Sequence, residues 1–110
     1  MHNLGSIDHI PIGEGREFQI GGLRVAVFRA RDGSIFALQP GCPHRGGPLV
    51  DGITGAGLIV CPLHAYKFEL ATGRAVGHGC GVLQTYAASV SEAGEILVDA
   101  GASECAEVAA

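Results

Sequence analysis

Four residues carry the chemistry this chain can do. Cys42 and His44 stand one residue apart and Cys61 and His64 two apart, with sixteen residues between the pairs. Thiolate and neutral imidazole are the side chains that suit zinc, iron and their clusters. Each pair is short enough for one loop to aim both donors at a common centre. A proline follows each cysteine, Pro43 and Pro62, fixing φ and removing one backbone donor. Three readings compete. The cysteines could be small buried hydrophobes and the histidines satisfied polar residues, although two matched pairs at ligand spacing, in Gly- and Pro-marked loops, make coincidence a poor account. Two Cys and two His also satisfy tetrahedral Zn²⁺, as in a zinc-binding interaction module, yet zinc fingers group like ligands together. Alternating donors suit a two-iron site with both thiolates on one iron and both imidazoles on the other.

Such loops need a frame. At 110 residues the chain is one domain with a modest core. Eighteen glycines, five prolines and 5% aromatic residues favour short strands joined by turns over a helical bundle. "REFQI" and "LRVAVFRAR" flank Gly21-Gly22, and "LRVAVFRAR" and "SIFALQ" flank Asp32-Gly33, both hairpin signals. Residues 40–57 are glycine-rich without periodicity and read as loop. "GLIV" is a short apolar strand running into Cys61. "YKFEL" alternates as a half-buried strand ended by Thr72-Gly73. "AVGHGCG" is a second glycine-rich loop, and "LQTYAASV" and "EILVDA" form a last hairpin about Ala93-Gly94. The fold class is all-β. A net charge of −4 argues against nucleic acid as partner. No apolar run approaches the roughly 20 residues a bilayer crossing needs, and the N-terminus has no signal-peptide pattern, so a cytoplasmic, reducing setting is expected. In that setting four cysteines point to metal or catalysis more than to disulfides.

The pattern Cys-x-His, spacer, Cys-x-x-His resembles the Rieske family. The resemblance implies a Rieske-type antiparallel β sandwich or barrel over residues 1–101. It also implies a small cluster-binding subdomain of two loops, about 40–49 and 61–66, a covering loop at about 75–81, and a flexible tail at 102–110. It implies one [2Fe–2S] cluster held by Cys42 and Cys61 on the inner iron and His44 and His64 on the outer. With all four positions supplied, it implies an electron carrier with no catalytic residue of its own. Two imidazoles in place of two thiolates remove negative charge around the irons, so potentials rise from about −400 mV to roughly −150 to +300 mV. Respiratory members carry two further cysteines in these loops; Gly47 and Leu63 stand there in this chain. With those replacements, and Tyr66 where a serine hydroxyl often sits, the low end of that range is expected.

A finer resemblance, in "CPHRGGPL", "CPLH", "FELATGRAVG" and "GCGVLQTY", is to the small subunit of assimilatory NAD(P)H-dependent nitrite reductase. It implies a large partner subunit bearing flavin, an iron–sulfur cluster and sirohaem. The alternative is a Rieske ferredoxin working between a ferredoxin reductase and the terminal oxygenase of a ring-hydroxylating dioxygenase. Arg45 beside His44 is the first candidate for partner docking, with Pro48 and Leu49 as its apolar contact and His78 in the covering loop as a further contact. Cys80 reads as a buried thiol packing its loop, Cys105 as a free thiol in the tail, and His2 and His9 as surface or satisfied histidines.

Overall fold

Glycines able to take positive φ fold the chain back on itself wherever the sequence predicts a hairpin. The computed structural model describes residues 2–41, 48–62, 66–77 and 82–99. Among these the strands are β1 (His2–Ser6), β2 (Gly15–Ile20), β3 (Leu23–Arg29), β4 (Ile35–Leu38), β5 (Ile53–Gly55), β6 (Leu58–Val60), β7 (Lys67–Glu69), β8 (Ala75–Val76), β9 (Thr85–Val90) and β10 (Glu95–Asp99). They form two antiparallel sheets, one of six strands in the order β1-β10-β9-β4-β3-β2 and one of four in the order β5-β6-β7-β8. The fold is all-β, as expected. No described helix is long and apolar enough to cross a membrane.

At the first hairpin Gly21 takes a φ of 60°, and the ladder runs from Gly15 opposite Phe28 to Ile20 opposite Leu23. The next two hairpins share one solution. Gly33 and Gly94, at φ 92° and 79°, donate their N–H groups back to Ala30 and Ser91 at 2.9 Å each. This is a type I turn ended by a left-handed glycine. Because that turn begins at Ala30, β3 stops at Arg29 and not at Arg31 as the sequence suggested.

β3 and β4 divide the interior. Val25, Val27, Ile35 and Ala37 pack with Ile10, Ile20, Tyr86, Ile96 and Val98 in one core. From the alternate positions of the same strands, Ala26, Phe28 and Leu38 pack with Leu49, Ile59, Cys61, Phe68, Leu70 and Leu83 in a second. Successive side chains of a strand point to opposite faces, so the unbroken apolar run of β3 marks a strand buried on both. The first core lies among elements of the six-stranded sheet; the second lies between that sheet and the small one.

The structure corrects the sequence reading in three further places. The N-terminal residues form β1, paired to β10 from His2 opposite Val98. Residues 40–57 are not all loop, since Leu49–Asp51 make a 3-10 turn and Ile53–Gly55 a strand on β6. Within 75–81, Ala75–Val76 pairs with β7 as β8. The tail predicted at 102–110 lies outside the described residues.

Candidate metal centre

β6 delivers Cys61. Ile59 points inward and is fully buried, Val60 is half-buried, and the chain then leaves the sheet at Cys61, which is 1% exposed. The Cys61 N–H donates to the Tyr66 carbonyl at 2.7 Å, closing the stem of the segment in which His64 falls. Cys61 is a free thiol, packed on the core that holds Leu49, Ile59 and Phe68. A cleft of about 330 Å³ lined by Asp51, Gly52, Ile53, Val60, Cys61 and Pro62 opens beside it.

The segment carrying Cys42, His44 and Arg45 is closed at its stem by an antiparallel bridge between Gly41 and Pro48 and by the Leu49 N–H donating to the Pro40 carbonyl at 3.0 Å. The segment carrying His78 and Cys80 is closed by a bridge between Arg74 and Val82 and by the Leu83 N–H donating to Gly73 at 2.7 Å. Gly73 has no substitute there: its φ is 77°, and a Cβ would overlap the Leu83 carbonyl oxygen. Leu49, Cys61, Tyr66, Ala75 and Leu83 belong to or pack against one core cluster, so the stems of all three segments converge.

Cys42, His44, Arg45, His64, His78 and Cys80 themselves lie outside the described residues, as do Gly47, Leu63 and Cys105. Pro48 is exposed. Leu49 is not: it is 0% exposed, because the 3-10 turn it opens faces it into the second core, and it holds the loop to the body instead of offering apolar surface to a partner. His2 and His9 are exposed.

Gln39 is a residue the sequence reading passed over. Its backbone N–H donates to the Gln84 carbonyl at 2.8 Å, and its Oε1 accepts the Gln84 N–H at 2.8 Å. Its Nε2 donates to Gly41 at 2.7 Å. One side chain thus ties the root of the first segment to the returning end of the third. A glutamine at a strand end carries no periodic signal, so only the fold reveals it.

The donor present fits a cluster. Thiolate is the ligand that iron–sulfur centres require, and here an unpaired, buried cysteine stands at a hydrogen-bonded stem on the edge of an apolar core. Among the described residues no group of three or more His, Cys, Asp or Glu side chains gathers to hold a metal elsewhere.

The profile of the Rieske [2Fe-2S] domain matches residues 2–87. The chain belongs to the Rieske family. A domain of this family holds one Rieske-type [2Fe–2S] cluster. The Rieske fold is equally plain in solved structures. A protein assigned as the small subunit of an NADH-dependent nitrite reductase from Mycobacterium tuberculosis superposes with a TM-score of 0.81 at 27% identity, covering 88% of this chain and 91% of that one. The ferredoxin of carbazole 1,9a-dioxygenase from Nocardioides aromaticivorans IC177 superposes with a TM-score of 0.77 at 29% identity, covering 89% and 97%. Human apoptosis-inducing factor 3 is 38% identical over 61 residues, 56% of this chain but 10% of that protein. The Rieske chain thus matches about a tenth of that longer relative.

Proposed function

We propose that this Rieske domain is a one-electron carrier of the cytoplasm, its cluster held by Cys42 and Cys61 at the inner iron and by His44 and His64 at the outer. The observation that carries the reading is Cys61: a free thiol with almost no exposure, placed by β6 at the stem of a segment that contains a histidine three positions on. When bound, the cluster supplies a site that gains and loses one electron at a potential raised by imidazole ligation. The chain's own part is to seal the thiolate side. Cys61 sits against Leu49, Ile59 and Phe68, which excludes water from that side and leaves the histidine-bearing segments as the way out for an electron. Four protein donors leave no position for substrate, so the chain hands electrons on and turns nothing over alone.

The partner we propose is the flavin- and sirohaem-bearing large subunit of an assimilatory NAD(P)H-dependent nitrite reductase, docked around Arg45, Pro48 and His78. Support comes from the sequence stretches "CPHRGGPL" and "GCGVLQTY" and from the likeness to the Mycobacterium tuberculosis protein over most of both chains. The likeness to the Nocardioides ferredoxin over a similar share favours the second reading, delivery to a ring-hydroxylating oxygenase. Iron and acid-labile sulfide in equal amounts in the purified protein support the cluster, while zinc alone refutes it. Nitrite-dependent NAD(P)H oxidation on mixing with a sirohaem large subunit supports the first partner. Electron delivery to a terminal oxygenase, without that activity, supports the second.

A further inference from the structure

The first and second cluster-bearing segments are not only rooted in one core; they touch backbone to backbone at Gly52. Ile53 and Val60 are the last register pair of the β5–β6 ladder, so Gly52 and Cys61 are the residues at which the two strands leave it. Gly52 also ends the turn through which the first segment returns, its N–H donating to the Leu49 carbonyl at 2.9 Å. Its φ is −81°, which any residue can adopt, so backbone conformation does not demand glycine here. Contact does. A Cβ at this position would overlap the Val60 carbonyl oxygen and lie 3.2 Å from its carbon and 3.1 Å from the Leu49 oxygen. All three atoms are main chain and cannot swing aside as a side-chain tip would.

We infer that Gly52 is a positioning residue for the cluster, setting how closely the returning end of the first segment approaches Val60 and Cys61 and keeping water from the Cys61 sulfur. The inference rests on Cys61 being a ligand. Any side chain at 52 must push the Pro48–Gly52 arm away from the end of β6, widening the cleft they share. Water admitted there solvates the added electron and raises the potential. Gly55, three residues further on at the other end of β5, is the natural control, because a Cβ there meets nothing within 4 Å.

The test compares full-length, cluster-loaded wild type with Gly52→Ala and Gly55→Ala by redox titration and low-temperature EPR, at matched iron content. Gly52→Ala should raise the midpoint by at least a tenfold shift in the reduction equilibrium, about 59 mV for one electron, and alter the g anisotropy, while Gly55→Ala changes neither. A midpoint that is unchanged or lowered in Gly52→Ala overturns the inference. Should Gly52→Ala take up no cluster, hydrogen exchange of the wild type decides. Removing iron should speed exchange of the peptide spanning 49–53 at least tenfold, together with that spanning 58–61; a 49–53 peptide indifferent to iron overturns the inference. Full iron with an unmoved midpoint leaves the ligand assignment intact, whereas full cluster content in Cys61→Ser would remove the ligand assignment itself.

Discussion

Val25 and Val27 on one face of β3 help close a core among elements of the six-stranded sheet, whereas Ala26 and Phe28 on the other face help build the core that contains Cys61. The first core is held by long ladders: six register pairs join β2 to β3 and four join β9 to β10. The second is roofed by strands of two or three residues, too short to be stable without what they cover. A member of that second core is also the proposed ligand. On the proposed ligation, packing and metal binding are separable on one side of β3 and coupled on the other.

The sharpest way to break that contrast is at the thiol. Cys61→Ser keeps the size of the side chain and removes the soft donor, so iron and sulfide should fall to background and the visible absorption vanish. The six-stranded half should still give a cooperative β-sheet transition by circular dichroism. Retained iron would sever the second core from the metal.

Next in size is a matched pair of core truncations. Phe68 is fully buried beside Cys61, and Phe68→Ala should cost about 3–5 kcal/mol and shed cluster during purification. Ile96 is fully buried in the first core, and Ile96→Val should cost about 0.5–1.5 kcal/mol with iron content and midpoint unchanged. Urea melts read the stabilities and iron analysis the second effect. Cluster loss in Ile96→Val, or full retention in Phe68→Ala, would show that the division along β3 is false.

The joint between the halves gives a smaller effect. Thr54, on β5 of the small sheet, donates from Oγ1 to the Gly13 carbonyl ahead of β2 at 2.7 Å and is 7% exposed. Thr54→Val keeps the shape and removes that bond, for about 1 kcal/mol. Because the bond ties the small sheet to the large one, hydrogen exchange should quicken in β5 and β6 while β2 and β3 stay protected. Equal change in both would mean the halves open as one unit.

The same division explains what the sequence revealed. The turns at Gly21-Gly22, Asp32-Gly33 and Ala93-Gly94 are legible because φ at their left-handed glycines excludes most other residues, and the spacing of the proposed ligands stands out because loop reach is local. β1 and β5 were not. Asn3 and Gly5 interrupt any alternation in β1, whose order comes from β10 at the far end of the described chain. Ile53 is 73% exposed, so β5 shows no buried face until β6 is beside it. Leu49 misled for the opposite reason: in a stretch without periodicity nothing announces which side chain turns inward. Local chemistry is written locally, whereas the roof over Cys61 is specified only by what it covers.

The smallest expected effect lies on the scaffold side and probes whether its turns work independently of the metal. Asp32 accepts the Ser34 N–H at 2.9 Å, and this backbone bond, helped by the Ser34 side chain, holds its carboxyl below the ordinary value of 3.8. A group whose pKa is depressed by folding stabilises the native state above the unfolded value and loses that contribution as pH falls through the folded one. Asp32→Asn should therefore be slightly less stable than wild type near neutral pH, and the two should converge well below pH 3.8, where both side chains are uncharged. Comparing wild type and variant at each pH cancels whatever acid does to the cluster, since both carry the same ligands. A gap that persists unchanged in acid would mean that the β3–β4 turn draws nothing from the ionised carboxylate. A gap that tracks cluster loss would mean that this hairpin is not independent of the metal after all.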